Sequence, residues 1–316
     1  MLSRPNLIAI ASAISLITII CLFIFWEQDL KIDTSSTLPV IRQRQNTFDV
    51  VLAHYQESPI DVRTTISLIK SVPAIAALRP RVFVYTKGSM AKTEAELEDM
   101  RLQMGADYAR ALPNRGREAE TYLTHIIDHY DDLGTHVLFC QAQMEIPDRV
   151  ENLLRTHFSS QVGAMSMYEY TTCPSDNCIP PIFGSPDPVH GFKRIPELFA
   201  IFNERFTPPE GLLLTFKGQF IVSRKRILRN AKHKFEWIRN VLNDSSHFVH
   251  NEVGEKNNMD TAATSKSMDN PIFGHTLERA WMVLFGCNDL TLPQQCNPGN
   301  WRDPNIKCAC YDDDWN

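Results

Sequence analysis

The feature that most constrains this chain is a run of twenty residues without a formal charge, LIAIASAISLITIICLFIFW, at positions 7–26. As a helix rising ~1.5 Å per residue it would span ~30 Å, the thickness of a bilayer's hydrocarbon core. Ser12, Ser15 and Thr18 can hydrogen-bond back to the helix backbone, and Trp26 ends the run where an amphipathic ring favours the interface. A cleavable signal peptide has a shorter apolar core, roughly 7–15 residues, and a small-residue cleavage site. This run closes instead on Phe25, Trp26 and Glu27. Arg4 precedes the span and Glu27, Asp29, Lys31 and Asp33 follow it, so the positive-inside rule leaves the N-terminus in the cytosol. The expectation is a single-pass type II membrane protein. It has a cytoplasmic tail at 1–6, a transmembrane signal anchor at 7–26, a stem at 27–47 and a lumenal domain at 48–316.

The net charge of −5 gives no electrostatic reason to expect nucleic acid as a partner. Cys173, Cys178, Cys287, Cys296, Cys308 and Cys310 would lie in an oxidising lumen, where disulfides form and persist. Their spacings do not match the paired C-x₂₋₄-C ligands of a zinc site, and the connectivity stays open. Cys140 sits within an apolar strand pattern and reads as a free core thiol. Asn243-Asp244-Ser245 is a glycosylation triplet compatible with a lumenal domain.

From residue 48 onward, short apolar runs alternate with helical patterns. FDVVLAHY (48–55), RVFVYT (81–86) and HVLFCQ (136–141) read as buried strands. Helices are expected at 62–77, at 93–104 behind a T-E-A-E capping box, and from 148, capped by Asp148, to 158. The clearest helix follows the turn at 112–116. Ala119, Tyr122, Leu123, Ile126, Ile127 and Tyr130 line one face, with Glu120, His125, Asp128 and His129 on the other. FKGQFIVS (216–223) reads as a strand, 224–242 as a basic helix, 251–270 as a polar loop and 271–285 as a last helix. Such alternation implies an α/β domain with a mostly parallel sheet and flanking helices.

In open α/β sheets ligands bind beyond the carboxyl ends of the strands. That rule singles out residues 54–57, 86–88 and 141–145, and the turn at 114–118 joins them. Gly116 allows close backbone approach there, the helix N-terminus behind it favours an anion, and Arg115 and Arg117 add charge that fits phosphate. Arg224, Lys225 and Arg226 open the later basic helix and form a second candidate anion site, or a solvated helix face. No G-x-S-x-G, H-E-x-x-H or G-x₄-G-K-[ST] occurs, which removes the motif support for serine-hydrolase, zinc-protease and P-loop readings.

NRGREAETYLTHIIDHYDDLGTHVLFCQAQ, KGQFIVSRKRIL and LERAWMVLFG, in that order, resemble a fungal family of uncharacterised proteins carrying a domain of unknown function. The resemblance spans residues 48–286. The layout is also similar to that of GT-A glycosyltransferases. In many of those an N-x-G turn opens a helix, and the next strand ends in a D-x-D that holds a divalent metal on the donor's diphosphate. Asn114-Arg115-Gly116 stands in the first place and Gln141-Ala142-Gln143 in the second. Amides carry no charge, whereas hard cations want anionic oxygens, and Glu145 alone is a poor substitute. The resemblance therefore implies a GT-A-like lumenal transferase of the Golgi or endoplasmic reticulum, with no tightly bound metal and no other cofactor. A nucleotide-sugar would meet Asn114, Arg115, Gly116, Arg117, Glu118, Gln141 and Gln143. A glycan or small-molecule acceptor would lie towards Gly218, Gln219 and Arg224. For an inverting transfer the base would be Glu278, with His190 as second choice. The alternatives are a catalytically inactive GT-A-like binding domain and an enzyme that modifies a small secreted metabolite.

Overall fold

Strand β1 (Phe48–His54) is buried along almost its whole length, as befits a strand covered on both faces. In the computed structural model residues 47–176, 178, 192, 194–250, 267–296 and 299–314 are described. Ser58 caps α1 (Pro59–Lys70) by accepting the Asp61 N–H, and Pro73 starts a separate turn, α2 (Pro73–Ala76). The single helix expected at 62–77 is therefore two, because proline has no N–H with which to continue the first. β2 (Arg81–Thr86) precedes α3 (Glu94–Met104), whose Thr93–Glu96 capping box is in place. A four-residue edge strand, β3 (Tyr108–Ala111), leads to α4 (Arg117–Asp128), β4 (His136–Gln141) and α5 (Pro147–His157). Asp148 lies in the first turn of α5 rather than capping it; Ile146 holds the cap position without a side-chain bond.

The C-terminal half runs β5 (Val162–Ser166), β6 (Tyr170–Cys173), α6 (Arg194–Asn203), β7 (Leu212–Thr215), β8 (Phe220–Ser223) and α7 (Arg224–Leu228). It ends with α8 (Lys232–Asn243), α9 (Ile272–Leu284), α10 (Leu292–Gln295) and β9 (Cys310–Tyr311). The strand expected at 216–223 begins only at Phe220, since Lys217 and Gly218 turn the chain with φ of 68° and 58°. The basic helix expected at 224–242 divides into α7 and α8.

Seven strands form one sheet in the order β3-β2-β1-β4-β8-β5-β9, and β6 pairs with β7 apart from it. β1 to β4 are mutually parallel, and β5 runs the same way beyond the antiparallel β8. The domain is thus a mixed α/β fold with a mostly parallel central sheet and flanking helices. The order 3-2-1-4 creates a switch point between β1 and β4, where successive connections leave in opposite directions. The carboxyl ends of both strands open there on the same edge. β8 runs the other way, so Ser223 pairs with His136 at the opposite, amino edge.

Aromatic packing fixes α4 and α9 to the sheet. Trp281 stacks on Phe220 with ring centroids 5.2 Å apart, and Tyr122 tilts onto Phe139 at 4.9 Å. Burying rings of this size contributes about 1.5–3 kcal/mol each. Residues 118–127 of α4 are all buried, so Glu120 and His125 of its polar face are enclosed, while Asp128 is exposed and His129 half-buried. On the amino edge, Asp49 is fully buried and accepts from Arg81 Nε at 2.7 Å and Nη2 at 2.9 Å, and from the Gly134 N–H at 2.7 Å.

Among the described residues three disulfides form: Cys173–Cys178, Cys287–Cys310 and Cys296–Cys308. The last two staple the C-terminal segment to itself and to the end of α9. Cys140 is free and buried, and burial pushes its thiol up to about 12. Changing Cys296 and Cys308 both to serine opens a loop of sequence separation 12. Chain entropy then predicts a loss of about 2–3 kcal/mol. Urea unfolding under non-reducing conditions would show this; an unchanged midpoint would count against it. Among the described residues no helix is long and apolar enough to cross a membrane. The expected tail, anchor and stem lie outside those residues, Thr47 excepted.

Candidate functional site

The carboxyl ends of β1, β2 and β4 and the start of α4 enclose a cleft of about 310 Å³ at the switch point. His54 ends β1 and forms part of its floor. Its Nδ1 lies 2.8 Å from the Thr86 hydroxyl and its Nε2 donates to the Glu57 carbonyl at 2.9 Å, which fixes the tautomer. The Glu57 carboxylate accepts from the Tyr55 and Gln56 N–H groups, so the turn after β1 is rigid. Tyr55 lines the cleft and is 47% exposed.

Lys87, just after β2, is buried against the turn that opens α4. Its Nζ donates to the carbonyls of Arg115 and Arg117, both at 2.5 Å, and lies 3.0 Å from Glu120 Oε2. Burial depresses the ammonium's pKa, against the opposing pull of Glu120 and Glu118. Lys87 therefore holds the 115–117 backbone in place while still lining the cleft.

Gly116 caps α4 in the left-handed region, at φ 61°, and Arg117 follows at φ 55°. A left-handed arginine is strained by roughly 1–3 kcal/mol, a strain that persists only where surroundings hold it. Two backbone bonds do so: Gly116 N–H donates to Met268 O at 2.8 Å and Arg117 N–H to Asp269 O at 3.2 Å. The helix-end donors expected to meet an anion thus already carry partners from the 267–270 segment. Asp269 and Asn270 of that segment form the far wall of the cleft.

Arg117 lies between two buried carboxylates. Its guanidinium is 3.4 Å from Glu118 Oε2 and 3.5 Å from Glu278 Oε2, and it also bonds Asn270 Oδ1 at 3.0 Å. Burial raises the Glu118 carboxyl above its ordinary value; Arg117 opposes that and Glu278 reinforces it. Burial would raise Glu278 too, but Arg279, Arg117, the Lys217 N–H and His275 outweigh it and hold Glu278 low. Neighbouring acids pushed in opposite directions give up their protons at different pH, the arrangement that acid–base sites use. Glu118 lines the cleft and its Oε1 has no partner among the described residues.

Of the residues singled out in the sequence, Asn114, Arg117, Glu118 and Gln141 line this one cleft. Gly116 supports it through the backbone, and Arg115 points elsewhere, to the Asn243 carbonyl at 3.3 Å. Gln143 is exposed, and Glu145 pairs with Lys217 at 2.8 Å. Gly218 stands against Glu118: it has φ 58°, and a Cβ there would lie 3.2 Å from Glu118 Oε1. Gln219 is buried, with Oε1 accepting from the Cys140 thiol at 3.6 Å, which makes it a core residue. Arg224 is a correction as well. The antiparallel course of β8 delivers it to the amino edge, where it donates to Leu133 O at 3.1 Å, away from the cleft. Asn243 ends α8 half-buried. His190 lies outside the described residues. Glu120, Asp269 and Asn270 are additions. Glu120 falls on the polar side of a helix pattern, and the other two sit in an aperiodic polar stretch that carries no signal of its own.

Among the described residues no group of three or more His, Cys, Asp or Glu side chains could hold a metal ion. Among curated proteins none matches this sequence. Residues 94–298 match the family described as protein of unknown function, DUF3431. That span, about two thirds of the chain, supplies the cleft walls from α4, β4 and the 267–270 segment, while the walls from β1 and β2 precede it. The chain therefore belongs to the DUF3431 family of proteins of unknown function.

Proposed function

We propose that this is a GT-A-like glycosyltransferase that takes a nucleotide-sugar in the switch-point cleft and passes the sugar to a hydroxyl acceptor. The observation that carries this reading is the coincidence of the cleft with the carboxyl-end crevice of a 3-2-1-4 sheet, where open α/β folds bind nucleotides. Asn114, Arg117, Glu118 and Gln141, four positions that the GT-A resemblance gives to the donor, share that cleft. Gln141 stands at the end of β4 in the place of a metal-holding acid. Its amide can donate to a phosphate oxygen but brings no charge to a cation, so the reading is of a transferase without a tightly bound metal. The anchor expected at 7–26 would hold it in the membrane of the Golgi or endoplasmic reticulum, with this domain in the lumen.

A thermal-shift screen of the purified protein against UDP-, GDP- and CMP-sugars tests this. One donor should raise the melting temperature progressively with concentration, and a hundredfold excess over Kd corresponds to about 2.7 kcal/mol. EDTA should leave that shift in place. No shift with any donor, or a shift only with Mn²⁺, would overturn the reading. The uncharged Gln141 in the place of a metal-holding acid favours a second reading, a binding domain without turnover. It predicts the same thermal shift but no release of free nucleotide from the donor.

A further inference from the structure

We propose that Glu118 holds the ligand of this cleft as a neutral carboxyl, its O–H donating to an anionic oxygen, so that occupancy of the cleft is coupled to a proton. The identity of that oxygen, a donor diphosphate, rests on the reading above; the state of Glu118 does not.

The geometry carries the assignment. Glu118 is 8% exposed, lines the cleft, and has one carboxyl oxygen without a partner. The cations nearby are divided unequally between the two acids. Arg279 lies 3.5 Å from Glu278 Oε2, His275 lies 3.7 Å from it, and the Lys217 N–H donates to Glu278 Oε1 at 2.9 Å. Arg117 reaches both acids at about equal distance. On the other side of α4, Lys87 is committed to Glu120 and to two carbonyls. The buried Tyr122 hydroxyl, on α4 itself, adds no charge. A negative charge on Glu278 thus meets Arg279, His275, the Lys217 N–H and a share of Arg117, whereas one on Glu118 meets the other share of Arg117, its own N–H and a distant pull from Lys87. Keeping the proton on Glu118 is the cheaper state, and burial pushes its pKa the same way.

A neutral carboxyl is a donor, and an anion in the cleft supplies the acceptor. This also accounts for an acid at a position that the resemblance gives to phosphate. As a carboxylate Glu118 would repel a diphosphate; as an acid it bonds it. In a cleft whose Lys87 and Arg117 are already paired, that donor supplies a hydrogen bond to the anion and removes a repulsive charge beside it.

The test uses UDP as probe, titrated calorimetrically into the whole protein from about pH 5 to about pH 8 in two buffers of different ionisation enthalpy. Affinity of the wild type should fall by up to about tenfold per pH unit once Glu118 begins to ionise, with proton uptake on binding. Glu118→Gln keeps the shape and a neutral donor, so it should bind UDP without that fall; the ligand's own titration is common to both proteins. Glu278→Gln frees Arg117 for Glu118 and should move the fall to lower pH. Equal profiles for wild type and Glu118→Gln would overturn the proposal. If Glu118→Gln does not fold, Glu118→Asp should weaken UDP at low pH but keep the slope, and an unchanged affinity would overturn the proposal equally. The carbon-13 carboxyl resonances of the ligand-free protein separate the two readings. If UDP binds but the ligand-free protein has no carboxyl still protonated near pH 6, the proton-coupling proposal fails alone. With one carboxyl protonated there but no binding of UDP, GDP or CMP, the nucleotide reading fails and takes the assigned acceptor with it.

Discussion

Replacing Arg81 with methionine should destabilise the protein by about 3–5 kcal/mol, because it strands a fully buried carboxylate. Asp49 sits at the amino end of β1, inside the sheet, and two of its four contacts come from the Arg81 fork at 2.7 and 2.9 Å. The others are the Gly134 N–H and His125, whose Nε2 lies 3.8 Å away. Burial by itself would raise the Asp49 carboxyl; His125, Arg81 and Gly134 together outweigh it and hold Asp49 below 3.8. The sign of the pH dependence follows. A lowered native value means that the stabilisation is complete above the unfolded value of 3.8 and drains away as pH falls through the native one. Arg81→Met should therefore lower the urea midpoint at neutral pH and make the acid side of the stability profile shallower. Asp49→Leu with Arg81→Met, which removes both charges, should recover part of the loss. A change below about 1 kcal/mol for Arg81→Met would show the pair to be an ordinary surface ion pair.

Gly88→Ala should cost about 3 kcal/mol or more, since overpacking against backbone cannot be relieved by a rotamer change. Gly88 follows Lys87 at the end of β2, and a Cβ on it would lie 1.6 Å from the Tyr55 carbonyl oxygen. The Lys87 N–H donates to His54 O at 2.9 Å, so the two loops are stitched together where they pass. Forcing them apart displaces Tyr55 and Lys87, both of which line the cleft. Gly105→Ala is the control. Gly105 has φ 72° but nothing within 4 Å of a Cβ, so only the left-handed conformation is charged, at about 1 kcal/mol. Comparable thermal shifts for the two alanine variants would mean that the contact at Gly88 is not tight.

Local pattern alone determined much of this domain. Contiguous β-branched and aromatic runs at 48–54, 81–86 and 136–141 mark strands because each is covered on both faces and has no polar side to show. The Thr93–Glu96 capping box, the Gly116 turn into α4 and the helix at 272–284 are equally local, settled within a few residues. The carboxyl ends of those strands, beyond which open α/β sheets bind ligands, line the cleft. Strands such as β3 were not legible, since a four-residue edge strand with three exposed residues carries little apolar signal. Nor was the direction of β8, which depends on which neighbours it pairs with; that alone removed Arg224 from the cleft. The polar face of α4 looks solvent-facing in any helical projection. Only tertiary packing buried Glu118 beside Arg117 and turned Glu120 and His125 into buried partners of Lys87 and Asp49. The proton on Glu118 has the same origin. Charge compensation is a sum over groups far apart in sequence, from Lys87 to Arg279, and no stretch of chain contains it.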